Sequence, residues 1–139
     1  MFDIIGIDWG LSKIGISVGN TENGLILPVD ILLSPNNFFE KFPFYLLKYP
    51  LIKTVVIGYP LNTKLEKTAT TIGVDQFVLD FKKHFPFQAV KTVLERGTTK
   101  SAQNTIKLME KSTGKNLKNK KLSDDQFAAM EILKIYLKI

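Results

Sequence analysis

The chain has no cysteine and only one histidine, His84, among its 139 residues. The lack of cysteine excludes disulfides and thiolate metal sites. A single histidine also argues against a zinc site or a histidine-based catalytic pair. No apolar run is long enough to span a bilayer, and a strand pattern begins at once without a basic leader. We therefore expect a cytoplasmic protein that makes no membrane contact.

The chain length and the distribution of charge narrow the class of protein further. A chain of 139 residues suggests one domain, covering 1–139, with a core large enough to need no covalent staples. The net charge is +6, but the segment from Lys91 to Lys121 alone carries eight lysines and one arginine against two glutamates, a net of +7. The rest of the chain therefore sums to −1. Such a segment favours a polyanionic partner, although a solvated lysine-rich surface explains the charge equally well.

The alternation of apolar and polar residues predicts an α/β fold with a mixed five-stranded sheet. We expect the first three strands to form an antiparallel meander and the last two to run parallel to the first, with helices on both faces. Pro28 places the third strand at an edge, and Pro43 should kink or divide the first helix. The predicted strands are 4–7, 13–19, 25–33, 53–60 and 87–95, and the predicted helices are 34–49, 66–85, 98–114 and 123–137.

Two carboxylates stand at the ends of predicted parallel strands. Asp8 follows the apolar run of the first strand, and Glu95 closes the last strand. Parallel strands place their carboxyl ends at one edge of a sheet, where open α/β sheets form their sites. A carboxylate at the end of a buried strand is costly unless it is partnered. Separately, Asp8 could start a turn and Glu95 could pair with a lysine, so their convergence is what indicates a site.

A third acid at this edge would come from Asp124 or Asp125. At 3.6 residues per turn, Asp125 shares a helical face with Ala128 and Ala129, whereas Asp124 falls on the polar side. Asp125 is therefore the inward candidate, although on its own it could simply cap its helix.

Three converging carboxylates would repel one another and raise one another's pKa values unless a cation lay between them. Oxygen ligands without histidine or cysteine indicate Mg²⁺ or Mn²⁺. A pair of such ions can activate water and stabilise the leaving oxygen of a phosphodiester. The sequence therefore favours a metal-dependent enzyme acting on nucleic acid, with Asp8, Glu95 and Asp125 as catalytic and metal-binding residues.

Four motifs of the chain resemble those of the YqgF/RuvX family, in the same order and spacing. They are GIDWGLSKIGISV, VVIGYPLN, LERGTT and DDQFAAMEIL. The resemblance spans essentially the whole chain. It implies an RNase H-like fold and a function in processing the 5′ end of precursor 16S rRNA, or, under the family's earlier name, in resolving Holliday junctions.

The resemblance also implies roles for individual residues. The family's three acids fall on Asp8, Glu95 and Asp125. Trp9 stands where the family has proline, and Leu94 stands where it has a further acid. Contacts to substrate are implied or expected for Lys13, which replaces an arginine, and for Asn62, Arg96, Thr99, Lys118, Lys120 and Lys121.

Four functions remain compatible with the sequence. A metal-dependent rRNA nuclease is the first, and a resolvase of branched DNA is the second. The strand–Asp–x–Gly opening also resembles the phosphate loop of actin-like ATPases, although these need two lobes. A non-catalytic nucleic-acid binder is the fourth. We expect a monomer, because the phenylalanines at 38, 39, 42 and 44 are better explained by core packing than by a dimer surface.

Overall fold

The computed structural model describes residues 1–32, 35–95 and 124–139. The predicted helix 98–114 and the candidate residues Arg96, Thr99, Lys118, Lys120 and Lys121 lie outside this part of the chain. The strands are β1 (Ile4–Trp9), β2 (Ile14–Gly19), β3 (Ile26–Leu32), β4 (Thr54–Pro60) and β5 (Ala89–Glu95). A 3₁₀ turn (Pro35–Asn37) precedes α1 (Phe38–Lys48), and the other helices are α2 (Ala69–His84) and α3 (Asp124–Leu137).

The five strands form one sheet in the order β3-β2-β1-β4-β5. The first three strands pair antiparallel, and β4 and β5 run parallel to β1, which confirms the predicted topology. Pro28 lies on β3 at the edge, as expected, and the β2–β3 register shifts beside it. No helix in the described ranges is long and apolar enough to cross a bilayer.

Aromatic rings fill the space between one face of the sheet and helices α1 and α2. The side chains of Phe38, Phe42 and Phe81 have no solvent exposure, and the ring centroids of Phe38 and Phe42 lie 4.8 Å apart. Helix α1 continues through Pro43, so the prediction that this proline divides the helix is wrong, and the alternative that it kinks the helix stays a prediction. Phe44 also departs from expectation, since it is 68% exposed and not part of the core.

Helix α3 packs on the opposite face of the sheet through small residues. Ser17 Oγ donates a buried hydrogen bond of 2.7 Å to the carbonyl oxygen of Ala129. A Cβ on Gly6 would lie 2.8 Å from that same oxygen, so only glycine lets the helix backbone come this close. Ile132 and Leu133 then complete a second apolar cluster with the sheet.

The contacts of α3 fix its direction. Ala129 lies over the middle of β1, Leu133 lies beside Gly19 near the start of β1, and Ile139 lies beside Gly24 in the β2–β3 turn. The helix therefore runs antiparallel to β1. Its first turn, which contains Asp125, lies toward the carboxyl end of that strand.

Candidate active site

Asp8 lies near the carboxyl end of β1 and is half-buried. Side chains alternate along a strand, so Asp8 is on the same face as Ile4 and Gly6, the face covered by α3. Ile7 pairs with Ile57 of β4, which places Asp8 level with Gly58. The residue opposite the acid thus has no side chain.

Glu95 is the last residue of β5 and is only 9% exposed. A Cβ on Gly58 would lie 2.5 Å from Glu95 Oε2 and 2.9 Å from Glu95 Cδ. The carboxyl group therefore lies directly over the backbone of Gly58, in the space that a side chain would fill. Because β4 is the only strand between β5 and β1, this position brings Glu95 across the sheet toward Asp8.

The third predicted acid, Asp125, lies in the first turn of α3 at this same end of the sheet. Its side chain is outside the described part of the structure, so the convergence of all three acids stays a prediction. Within the described residues, no three side chains of the types that bind metals are grouped together. Asp124 is exposed, as the helical-face argument expects.

Lys13 lies in the turn that joins β1 to β2, beside the end of β1. The amide of Gly10 donates to the carbonyl oxygen of Lys13 at 2.8 Å, which closes this turn tightly. The Lys13 side chain is exposed. The structure thus brings the predicted phosphate contact to the same edge as Asp8, while its role stays a prediction.

Asn62 lies in the loop after β4, and its side chain folds that loop. Its Oδ1 accepts hydrogen bonds from the amides of Lys64 and Glu66, both at 2.9 Å. Asn62 was predicted as a substrate contact, and its role in folding the loop was not predicted. Asparagine side chains commonly accept hydrogen bonds from nearby backbone amides in turns, so an asparagine two residues after Pro60 carried this signal in the sequence.

A second polar group ties the same loop to α2. Lys67 Nζ donates to Asp75 Oδ2 at 2.8 Å. Hydrogen bonds with Lys67 and Tyr59 lower the pKa of Asp75, and hydrogen bonds with Asp75 and Tyr59 raise the pKa of Lys67. The pair therefore stays charged at neutral pH and connects the loop to α2 at the protein surface.

The role of Gly58 was not predicted from the sequence. Glycine inside a strand commonly marks a close approach by another group. In VVIGYP this signal was available, but the group that approaches, Glu95, lies one helix and one strand further along the chain. Only the three-dimensional register connects them.

The strand order and the acids at the strand ends define the class of protein: an RNase H-like domain with carboxylates at one edge of the sheet. A family model described as "RuvX: Holliday junction resolvase" matches residues 3–139. The chain belongs to this family.

Relatives and solved structures agree with this assignment. A protein of Mycoplasmopsis synoviae is 34% identical over 96% of this chain and 95% of its own length. One from Sulfurihydrogenibium is 32% identical over 99% and 90%. Both are named "Putative pre-16S rRNA nuclease". Among solved structures, Thermus thermophilus RuvC has a similar fold, with a TM-score of 0.58 and 13% identity over 99% of this chain and 96% of RuvC.

Proposed function

We propose that the chain is a nuclease that depends on Mg²⁺ or Mn²⁺ and processes the 5′ end of precursor 16S rRNA in the cytoplasm. It would act as one RNase H-like nuclease domain over residues 1–139. The names of its relatives support the substrate. The observation that carries the catalytic part is the position of the Glu95 carboxyl group over Gly58, on the same sheet face and at the same edge as Asp8.

The residues at this edge suit a hard divalent cation. Glu95 is nearly buried in a space left by a missing side chain, and its carboxyl group lies on the same sheet face and at the same edge as Asp8. Carboxylate oxygens are the ligands that Mg²⁺ and Mn²⁺ prefer. Asp8, Glu95 and Asp125 would hold the metal, which supplies activation of water and stabilisation of the leaving oxygen.

The protein groups around the acids would supply binding and orientation. Gly58 lets Glu95 reach toward Asp8, and Ile132 of α3 covers the Gly58 position from above, which limits the access of bulk water. The exposed Lys13 would bind a phosphate beside Asp8. Arg96, Thr99, Lys118, Lys120 and Lys121 are proposed to hold the nucleic-acid backbone.

A cleavage assay tests this proposal. Purified protein is incubated with Mn²⁺ or Mg²⁺ and labelled RNA carrying a 5′ extension of 16S rRNA. We expect cleavage that stops in excess EDTA and that a zinc-selective chelator leaves intact. Asp8→Asn and Glu95→Gln should abolish cleavage, whereas Asp124→Asn, a charge-matched control on the exposed side of α3, should retain it. Full cleavage in EDTA would contradict the metal-dependent mechanism.

Holliday junction resolution is the second candidate, favoured by the description of the family model. The T. thermophilus RuvC fold has also been solved with a Holliday junction substrate, at a TM-score of 0.56 to this chain. A labelled four-way DNA junction in the same assay separates the two functions. Symmetric nicking of the junction with no RNA cleavage would replace the first proposal, and binding without cleavage of any substrate would indicate a non-catalytic binder.

A further inference from the structure

A groove with aromatic walls opens between the start of α1 and the second turn of α2. Its volume is about 340 Å³, within the range of small-ligand pockets. Its rings come from Trp9, Phe39 and Phe77, and its polar rim comes from Asn36, Gln76 and Asp80. The groove lies on the α1/α2 face of the sheet, opposite the face that carries Asp8.

The rings of the groove are held in fixed positions. A Cβ on Gly73 would overlap Cη2 and Cζ3 of Trp9, so the indole rests against the backbone of α2. The Trp9 and Phe77 rings are tilted by 32° with centroids 6.2 Å apart. Phe39 stacks on the His84 ring at 4.2 Å. A flat ligand could therefore stack here with little ordering of the protein.

The rim selects the charge of the ligand. Gln76 Nε2 donates to Asp80 Oδ1 at 3.0 Å, which holds the carboxylate at the mouth of the groove. None of the described residues that line the groove is a lysine or arginine. The Asp80 carboxylate repels phosphate but accepts hydrogen bonds from amino groups. The groove thus suits an uncharged aromatic ring that carries an amino group.

We propose that this groove binds one unpaired base of the substrate strand that carries an amino group, that is, adenine, cytosine or guanine rather than uracil. Aromatic rings on which unstacked bases lie, with polar groups at their edges, are the common means of recognising single-stranded RNA. Trp9 directly follows Asp8, and their side chains lie on opposite faces of β1. A strand whose phosphate lies at Asp8 could therefore turn a neighbouring base around the sheet edge onto Trp9. This inference rests on the proposed function and states where one base of the substrate strand is recognised.

The fluorescence of Trp9 gives a direct test, because it is the only tryptophan in the chain. The protein is titrated in EDTA, which should prevent cleavage, with single-stranded oligo-A, oligo-C, oligo-U and an abasic strand of equal length. We expect quenching by oligo-A and oligo-C, with oligo-U about 10-fold weaker. The abasic strand should bind, as seen by a terminal label, without quenching. Equal quenching by the abasic strand would overturn the proposal.

Asp80 and Asp75, both half-buried on α2, provide a matched pair of variants. Asp80→Asn replaces an acceptor-only group by one that also donates, and should shift the preference from adenine toward uracil. Asp75→Asn also removes one negative charge from α2, but Asp75 faces Lys67, outside the groove. It should leave the preference unchanged. An adenine-to-uracil ratio that is the same in Asp80→Asn and wild type would overturn the assignment of Asp80 and with it the proposed base specificity.

A third variant separates this inference from the catalytic proposal. Asp8→Asn should lose cleavage yet keep base-dependent quenching. If wild type cleaves RNA but shows no base-dependent quenching, the groove proposal fails and the catalytic one stands. If quenching depends on the base but no substrate is cleaved, the catalytic proposal fails alone.

Discussion

The two faces of the sheet are packed by different kinds of residue. The face under α1 and α2 is filled by large rings such as Phe38, Phe42 and Phe81, all fully buried. The face under α3 is packed through Gly6 and Ser17, whose small size brings the helix backbone against the strands. Large side chains fill the first face, whereas on the second face the helix backbone lies directly against the strands.

The difference has a chemical consequence at the sheet edge. A space between the strands and α3 stays open there, because Gly58 has no side chain, and the Glu95 carboxyl group occupies it. Large side chains at this position would exclude the acid. The aromatic face can therefore supply most of the stability while the small-residue face accommodates the charges. Stability and catalysis are therefore expected to respond to substitutions on different faces of the sheet.

The largest expected effect is on the aromatic face. Phe42→Ala should lower the free energy of unfolding by about 3–5 kcal/mol, since it leaves a cavity among buried rings. Cleavage per folded molecule should stay within a few-fold of wild type, because Phe42 is remote from the acids. Urea denaturation and the RNA assay together measure both quantities. Phe44→Ala, at an exposed position of the same helix, serves as the control and should change stability by less than about 0.5 kcal/mol.

At Gly58 we expect the opposite result, in which the loss of cleavage is the main effect of the substitution. Gly58→Ala places a methyl group where Glu95 lies, so the carboxyl group must shift by about an ångström, and the cleavage rate should fall by about 10²-fold. Gly19→Ala is the control on the same face, since its Cβ would lie 3.2 Å from Leu133 Cδ1 and far from the acids. Its cleavage rate should be close to that of wild type. A Gly58→Ala protein with full activity would refute the proposed role of Glu95.

The contact between β2 and α3 should show an intermediate effect. Ser17→Ala removes a buried side-chain hydrogen bond to the Ala129 carbonyl oxygen, which keeps its partner within the helix. The free energy of unfolding should fall by about 0.5–1.5 kcal/mol. Ser12→Ala, in the exposed β1–β2 turn, should have almost no effect in the same urea titration. Equal stabilities for the two variants would mean that the bond does not hold α3 in place.

The smallest expected changes in stability distinguish the two adjacent aspartates of α3. If Asp125 joins the other acids, Asp125→Asn relieves repulsion, raises the melting temperature without metal, and abolishes both cleavage and stabilisation by added Mg²⁺. Asp124→Asn loses a favourable charge at a helix start, about 0.3–1 kcal/mol, and should keep activity. Thermal melts with and without Mg²⁺ test both. A destabilised but active Asp125→Asn protein would show that Asp125 only caps its helix.

Most of the fold could be predicted from local patterns in the sequence. Alternation, turn residues and the rules for crossover connections were sufficient for the strand order, and Pro28 identified the edge strand. The positions of Asp8 and Glu95 followed from the same rules, because parallel strands end at one edge. These are properties of short segments and of chirality, so one sequence suffices to predict them.

The contacts that could not be predicted join distant parts of the chain. Gly58 matters because of Glu95, and Gly73 matters because of Trp9. Gly73 lies inside α2, where glycine is locally unfavourable, and only the contact with the Trp9 indole explains its position. Pro43 likewise lies inside α1, a helix whose Phe42 ring packs on Phe81 of α2. In each case, a contact with a residue distant in the sequence explains the position, so local propensity could not predict it.

The hydrogen bond between Ser17 and Ala129 also bears on when the enzyme becomes active. The two residues are 112 positions apart, so the bond closes a very long loop. Such distant contacts form late and slowly in folding. During synthesis, β1, β2 and Asp8 leave the ribosome long before α3 exists, and the proposed third acid arrives with that helix. A partly made chain would therefore lack a complete site, and hydrolysis of RNA would begin only after Ala129 has been translated and docked.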